Sequence, residues 1–120
     1  MEQRQIVEAL AALAQETRLN IFRLLVQTGP EGLPAGQIAE KLGLPATTLS
    51  FHLNQLRQAG LIDYRRESRS LIYAAEYDAM NGLISYLTEN CCQGEVLACG
   101  PAAASALQPA LTQDTKRSSR

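Results

Sequence analysis

The sequence has few of the residue types that build catalytic metal sites, and it has no long apolar run. One histidine, His52, occurs among its 120 residues, so one chain cannot assemble a His-rich zinc catalytic site. No apolar run approaches the roughly 20 residues that a transmembrane helix needs. The first five residues carry mixed charge and do not lead into the apolar core and cleavage site of an export signal. We therefore expect a cytoplasmic protein with no membrane contact and a single hydrophobic core.

Cysteine is scarce and unevenly placed. The chain has three cysteines, and an odd number without an export signal argues against a structural disulfide framework. Cys91, Cys92 and Cys99 lie within nine consecutive residues. Buried structural cysteines are usually scattered through a core, so this grouping favours reduced thiols used for metal or redox chemistry.

Basic residues are absent from the acidic segment 74–111, although the net charge of the chain is only −1. Residues 37–73 instead carry five basic and three acidic residues. A locally basic segment beside an acidic one is typical of a short surface that faces a polyanion.

Apolar spacing predicts helices in the first half of the chain. A first helix is predicted from about Gln3 to Ala14, and a second, more apolar helix is predicted to begin at a Thr17 cap. Glycines and prolines between residues 29 and 34 end this second helix.

A helix-turn-helix is predicted over residues 37–60. Gly43 closes a short helix, and Pro45 suits the first turn of the next one. The second helix carries an inward apolar stripe of Leu49, Leu53 and Leu56. Two helices joined by such a short turn are typical of the motif.

A basic hairpin follows, and then a last helix. Leu61 to Arg66 and Arg69 to Ala74 are predicted strands around a Glu67-Ser68 turn. Helical spacing returns from about Asp78 to Asn90. Residues 101–120 have few large apolar side chains, so we expect a disordered tail.

Three stretches of the sequence together resemble the ArsR/SmtB family of bacterial repressors: residues 17–22, residues 38–39 and, above all, the Ser-x-His-Leu-x-x-Leu-x-x-Ala-Gly-Leu stretch over residues 50–61. The resemblance covers about Ile6 to Thr88. It implies a mainly α fold with a small β-hairpin, a winged helix-turn-helix that is homodimeric through its first and last helices. The implied domains are a DNA-binding and dimerisation domain over residues 1–90 and a thiol effector segment over residues 91–100.

The implied partner is double-stranded operator DNA with a near-palindromic sequence, because a two-fold dimer presents two recognition helices to successive major grooves. Candidate contacts lie on the second helix of the motif and on the hairpin: Thr47, Thr48, Ser50, Phe51, His52, Gln55, Arg65, Arg66 and Arg69. Three alternatives stay open. The first is that Phe51 is a partly buried core residue. The second is that His52 makes a structural hydrogen bond. The third is that the arginines only protect a sheet edge.

The cysteines indicate the class of effector. Two sites known in the family are missing, since no cysteine lies near residues 32–36 and no histidine lies in residues 77–90. The cluster of Cys91, Cys92 and Cys99 resembles an arsenic-responsive branch, and three soft thiolates suit As(III) or Sb(III). The resulting hypothesis is a repressor that leaves its operator when the metalloid binds these thiols.

Three other interpretations of the same cysteines are open. They form a thiol-redox switch in a repressor of the same fold, or they are inert thiols in a loose tail. A small thiol-dependent arsenate reductase is disfavoured, because such an enzyme needs an activated cysteine at a helix N-terminus, whereas these cysteines follow a helix C-terminus. We therefore expect no enzymatic activity.

Overall fold

A computed structural model describes residues 1–94 of the chain. Its backbone divides into two compact units, Met1–Met80 and a second unit that begins at Asn81. The helices of the described residues are α1 (Gln3–Leu13), α2 (Glu16–Thr28), α3 (Ala35–Leu42), α4 (Ala46–Gln58) and α5 (Tyr77–Leu87). The strands are β1 (Leu33–Pro34), β2 (Ile62–Glu67) and β3 (Ser70–Ala75). This order confirms the predicted mainly α winged helix-turn-helix.

The apolar faces of the helices form one core within the first unit. Ile21 and Leu25 of α2, Ile38 of α3, and Leu49 and Leu56 of α4 are all at most 2% exposed. The α4 stripe is therefore buried as its spacing predicts. This packing fixes α4 from the inside and leaves its opposite face exposed.

The cap at the start of α2 differs from the prediction, whereas the end of α3 agrees with it. The prediction that Thr17 caps α2 is wrong, because the helix begins at Glu16 and the side chain of Gln15 accepts a hydrogen bond from the Arg18 backbone N–H at 2.8 Å. Glutamine can satisfy that free N–H as the usual short cap residues do. Gly43 ends α3 in the left-handed conformation, as predicted.

A three-stranded antiparallel sheet in the order β1-β3-β2 forms the wing. The predicted turn at Glu67-Ser68 is wrong by one residue, since Glu67 pairs with Ser70 around a Ser68-Arg69 turn. The observed register pairs Tyr64 with Tyr73 and buries Ile62 opposite Ala75. Cross-strand packing therefore sets the register.

Strand β1 was not predicted, and Gly32 makes its pairing possible. Leu33 pairs with Tyr73 of β3. Gly32 precedes this pair with a φ of +75°, and a Cβ at this position would clash with the carbonyl oxygen of Tyr73. Only glycine fits so close to the neighbouring strand in this conformation.

Helix α5 ends at Leu87, three residues before the predicted end. The second unit then continues into a short turn, Cys91–Gly94, in which Cys92 and Gln93 adopt left-handed backbone conformations. Cys99, most of the predicted thiol segment 91–100 and the predicted tail 101–120 lie outside the described residues. Among residues 1–94, no helix is both long and apolar enough to cross a membrane.

Candidate nucleic-acid interface and cysteine turn

The N-terminal half of α4 presents the predicted polar contacts to solvent. Thr47, Thr48 and Ser50 are exposed, and Phe51 is 57% exposed. The alternative that places Phe51 in the core is therefore wrong. An exposed aromatic beside three hydroxyl groups, at the start of the second helix of the motif, suits a helix that enters a major groove.

His52 lies on the buried side of α4, away from this exposed surface. It is 8% exposed, and its Nδ1 is 3.1 Å from Nη1 of Arg18 on α2. Burial lowers the pKa of His52 below 6.5, and the positive charge of Arg18 lowers that pKa further. The geometry favours the alternative that His52 makes a structural hydrogen bond, and it leaves the side chain buried away from the exposed face.

Gln55 also departs from the exposed face. It is half-buried, and it lines a cavity of about 430 Å³ between α1, α2 and α4. The other lining residues are Glu8, Ala11, Ala12, Arg18, Gln58 and Ala59. A base contact by Gln55 stays a prediction, and the side chain would have to turn out of the cavity to make it.

The three wing arginines differ in how they are held. Arg65 donates from Nε to the Glu67 carboxylate at 2.6 Å and from Nη2 to the Glu31 carbonyl at 2.9 Å. Arg66 and Arg69 are exposed and form no ion pair within residues 1–94. Arg66 and Arg69 therefore have their charges available to a phosphate, whereas the charge of Arg65 is partly balanced.

Arg57 fixes the base of the wing, a role that the sequence pattern did not reveal. Its guanidinium lies 4.4 Å from the centre of the Tyr64 ring, and its Nε is 3.5 Å from the Asp63 carboxylate. The Tyr64 ring packs edge-on against Tyr73, whose pKa is raised by burial. These contacts join the end of α4 to β2, so α4 and the wing are held together.

The cysteine turn brings two sulfurs close together. Sγ of Cys91 and Sγ of Cys92 are 3.7 Å apart, and Cys92 is an exposed free thiol. Cys91 is disulfide-bonded, so the expectation that all three cysteines are reduced thiols is wrong for Cys91 in this structure. Cys92 adopts a positive φ of 54°, an uncommon backbone conformation for a residue with a side chain. Within residues 1–94, no three metal-ligating side chains form a group that could hold an ion.

Comparison with known proteins places these features in a family. A protein-family sequence model, described as a helix-turn-helix domain, matches residues 13–65. The HTH-type transcriptional regulator YgaV of Escherichia coli is 33% identical over 88 residues, which cover 73% of this chain and 87% of that protein.

Two of the solved structures that are similar to this chain bear on its family. One is the homodimeric winged helix-turn-helix DNA-binding domain Mb0332 of Mycobacterium bovis, which is described as a possible ArsR-family regulator. Its TM-score is 0.59 at 27% sequence identity, and the aligned region covers 77% of this chain and 85% of that domain. The other is reduced HlyU of Vibrio cholerae, with a TM-score of 0.58 at 30% sequence identity; the aligned region covers 75% of this chain and 92% of HlyU. The chain belongs to the ArsR/SmtB family of winged helix-turn-helix transcriptional regulators.

Proposed function

We propose that the chain is a transcriptional repressor whose three cysteines bind As(III) or Sb(III), and that binding releases it from a near-palindromic operator. The observation that carries the proposal is the placement of Cys91 and Cys92, with sulfurs 3.7 Å apart, in the turn that begins four positions after the end of α5. Two ligands of one ion, each about 2.3 Å from it as in thiolate sites, lie roughly this far apart.

The operator contact assigns distinct roles to α4 and the wing. Thr47, Thr48, Ser50 and Phe51 enter the major groove, where hydroxyl groups reach base edges and the Phe51 ring packs on a thymine methyl. Arg66 and Arg69 neutralise phosphates, which makes the affinity depend on salt. Arg65 adds less, because Glu67 and the Glu31 carbonyl already hold it.

A homodimer through α1 and α5 supplies the two-fold symmetry. Val7 and Leu10 of α1 are 56% and 41% exposed, and Leu87 of α5 is 60% exposed. Large apolar side chains left exposed on these two helices support an interface there. The homodimeric state of the Mycobacterium bovis domain supports a homodimer for this chain as well.

The effector acts through reduced thiols. Regulators of this family commonly bind metal effectors. Cys91, Cys92 and Cys99 would hold As(III) or Sb(III) through three soft thiolates, the ligand type that suits these ions. Binding reorders the turn after α5, next to the dimer helix. A loss of operator affinity of two to three orders of magnitude needs about 3–4 kcal/mol of coupling between the sites.

The test is a titration of labelled DNA from just upstream of the gene, followed by fluorescence anisotropy. Protein reduced beforehand is bound to the DNA, and arsenite, zinc and peroxide are then added in separate runs. Release at one arsenite per protomer, with zinc and peroxide inactive, is the expected result. Stable binding in excess arsenite would refute the metalloid effector.

A second candidate is a repressor of the same fold that responds to thiol oxidation. The observation in its favour is that Cys91 is disulfide-bonded beside the exposed thiol of Cys92. The similarity to a protein solved as reduced HlyU is compatible with this candidate. Release by peroxide and recovery with a reductant, in the same titration, would select this function over the first.

A further inference from the structure

Arg18 joins three helices through a single side chain. Its Nε donates to the carbonyl oxygen of Ala12, near the end of α1, at 2.8 Å. Its Nη1 lies 3.1 Å from His52 Nδ1 in the middle of α4. Arg18 itself belongs to the first turn of α2. The guanidinium therefore connects the α1–α2 corner to the recognition helix.

This contact requires a neutral His52. Arginine carries only donors, so His52 Nδ1 must accept the hydrogen bond and the ring proton must lie on Nε2. A second proton, on Nδ1, would make the ring a cation and would place two donors and two positive charges face to face. Burial and then Arg18 lower the pKa of His52. The contribution of neutral His52 to folding stability is therefore fully present above pH 6.5 and is lost as the pH falls through the lowered pKa of the folded state.

The buried ring of His52 also contacts Phe51, an exposed residue of α4. Its ring packs edge-on against Phe51, with 5.4 Å between ring centres. Phe51 is the large aromatic side chain that α4 presents to solvent. Ala12, Arg18, His52 and Phe51 therefore form a continuous chain of contacts, each residue touching the next.

Arg18 is the charged group that acts on His52 from the packed helices. Glu8 of α1 lines the same cavity as Arg18, while Glu40 and Lys41 of α3 are exposed. On the side of β2, Asp63 is paired with Arg57. The hydrogen bond from Arg18 is therefore the polar contact that fixes the His52 ring.

We propose that Arg18 is a positioning residue for operator recognition: its hydrogen bond to neutral His52 sets the rotation of α4 and so the direction of Phe51 and the hydroxyl groups beside it. The inference rests on the proposed contact of α4 with DNA. It makes operator affinity dependent on the protonation of His52. Acidification adds positive charge to the protein, which by itself favours DNA binding, so a fall in affinity at low pH identifies the loss of this contact.

The first test observes His52 directly, because it is the single histidine of the chain. Nitrogen NMR of the imidazole in the full-length protein reports both the tautomer and the pKa. We expect the proton on Nε2 at pH 7.5 and a rise in the pKa in Arg18→Gln. Arg23→Gln is the matched control, since Arg23 is exposed on the same helix and the change removes the same charge. A proton on Nδ1, or an equal pKa in both variants, would overturn the proposal.

The second test measures affinity for the upstream DNA between pH 5.5 and 7.5. Arg18→Gln is expected to bind about tenfold more weakly at pH 7.5, the loss that corresponds to one hydrogen bond to a charged group, whereas Arg23→Gln binds like the wild type. The wild type is expected to lose affinity on acidification. His52→Asn offers a carbonyl oxygen that does not titrate near the Nδ1 position, so its affinity is expected to stay constant with pH.

The outcomes separate this inference from the proposed function. No binding of the wild type to upstream DNA at pH 7.5 would overturn both. Normal binding with equal affinities for Arg18→Gln and Arg23→Gln, or an unchanged pH profile in His52→Asn, would overturn the positioning role alone. Circular dichroism checks the fold of each variant. If Arg18→Gln does not fold, the NMR tautomer of the wild type and the pH profile of His52→Asn decide the question.

Discussion

Replacing Gly32 by alanine is expected to destabilise the wing far more than a comparable change elsewhere. Gly32 has a φ of +75°, and an alanine in the left-handed region costs roughly 1–2 kcal/mol. The new Cβ would also clash with the carbonyl oxygen of Tyr73 and lie 3.0 Å from its carbonyl carbon. These are backbone atoms of a paired strand, so relief requires β1 to move away from β3. Overpacking of this kind adds about 1–3 kcal/mol, for a total of about 2–5 kcal/mol.

Gly43→Ala is the matched control for this prediction. Gly43 has a φ of +67°, but nothing lies within 4 Å of a Cβ built there. It therefore carries the backbone cost of about 1–2 kcal/mol without the clash. The excess loss in Gly32→Ala measures the close approach of the two strands.

Urea unfolding followed by circular dichroism gives the free energy of unfolding for the wild type and both variants. Because a dimer is expected, all three are measured at the same protein concentration. The midpoint is expected to fall furthest in Gly32→Ala, with an unchanged slope. If Gly32→Ala lost no more stability than Gly43→Ala, the explanation of β1 pairing would be refuted.

Three further predictions follow from the described residues. Ser68 has a φ of +55° in the wing turn, so Ser68→Gly is expected to raise the free energy of unfolding by up to about 1 kcal/mol in a thermal melt, and a decrease would contradict the strained turn. Phe51→Ala is expected to change stability by less than about 0.5 kcal/mol while weakening operator binding, since the ring is mostly exposed; a large stability loss with normal DNA binding would show that the ring serves the core. Arg66→Gln is expected to reduce the slope of log affinity against log salt by about 1, and Arg65→Gln to reduce it less, because Arg65 is already paired; equal slopes would contradict this difference.

The sequence predicts the structural features that depend on residues close together in the chain. The buried stripe of α4 follows from the spacing of Leu49, Leu53 and Leu56, and the end of α3 follows from Gly43. The exposure of Phe51 follows from the same helical geometry. These features depend on residues at most a few turns apart, so a local pattern contains them.

Long-range contacts explain what the sequence pattern missed. The two-residue strand β1 exists because Leu33 meets Tyr73, 40 positions along the chain. The Arg18–His52 hydrogen bond joins residues 34 positions apart. The wing turn shifted by one residue because the pairing of Tyr64 with Tyr73 outweighs the local turn preference. Each of these contacts becomes visible only when the helices and strands are packed.

The most direct test of the central claim compares operator release by wild-type protein and by a variant with serine at positions 91, 92 and 99. Serine is close in size but offers no soft thiolate. Both proteins are expected to bind the upstream DNA equally in fluorescence anisotropy before any effector is added. Arsenite is expected to release the wild type at one equivalent per protomer and to leave the triple variant bound. Release of the triple variant by the same amount of arsenite would contradict the account.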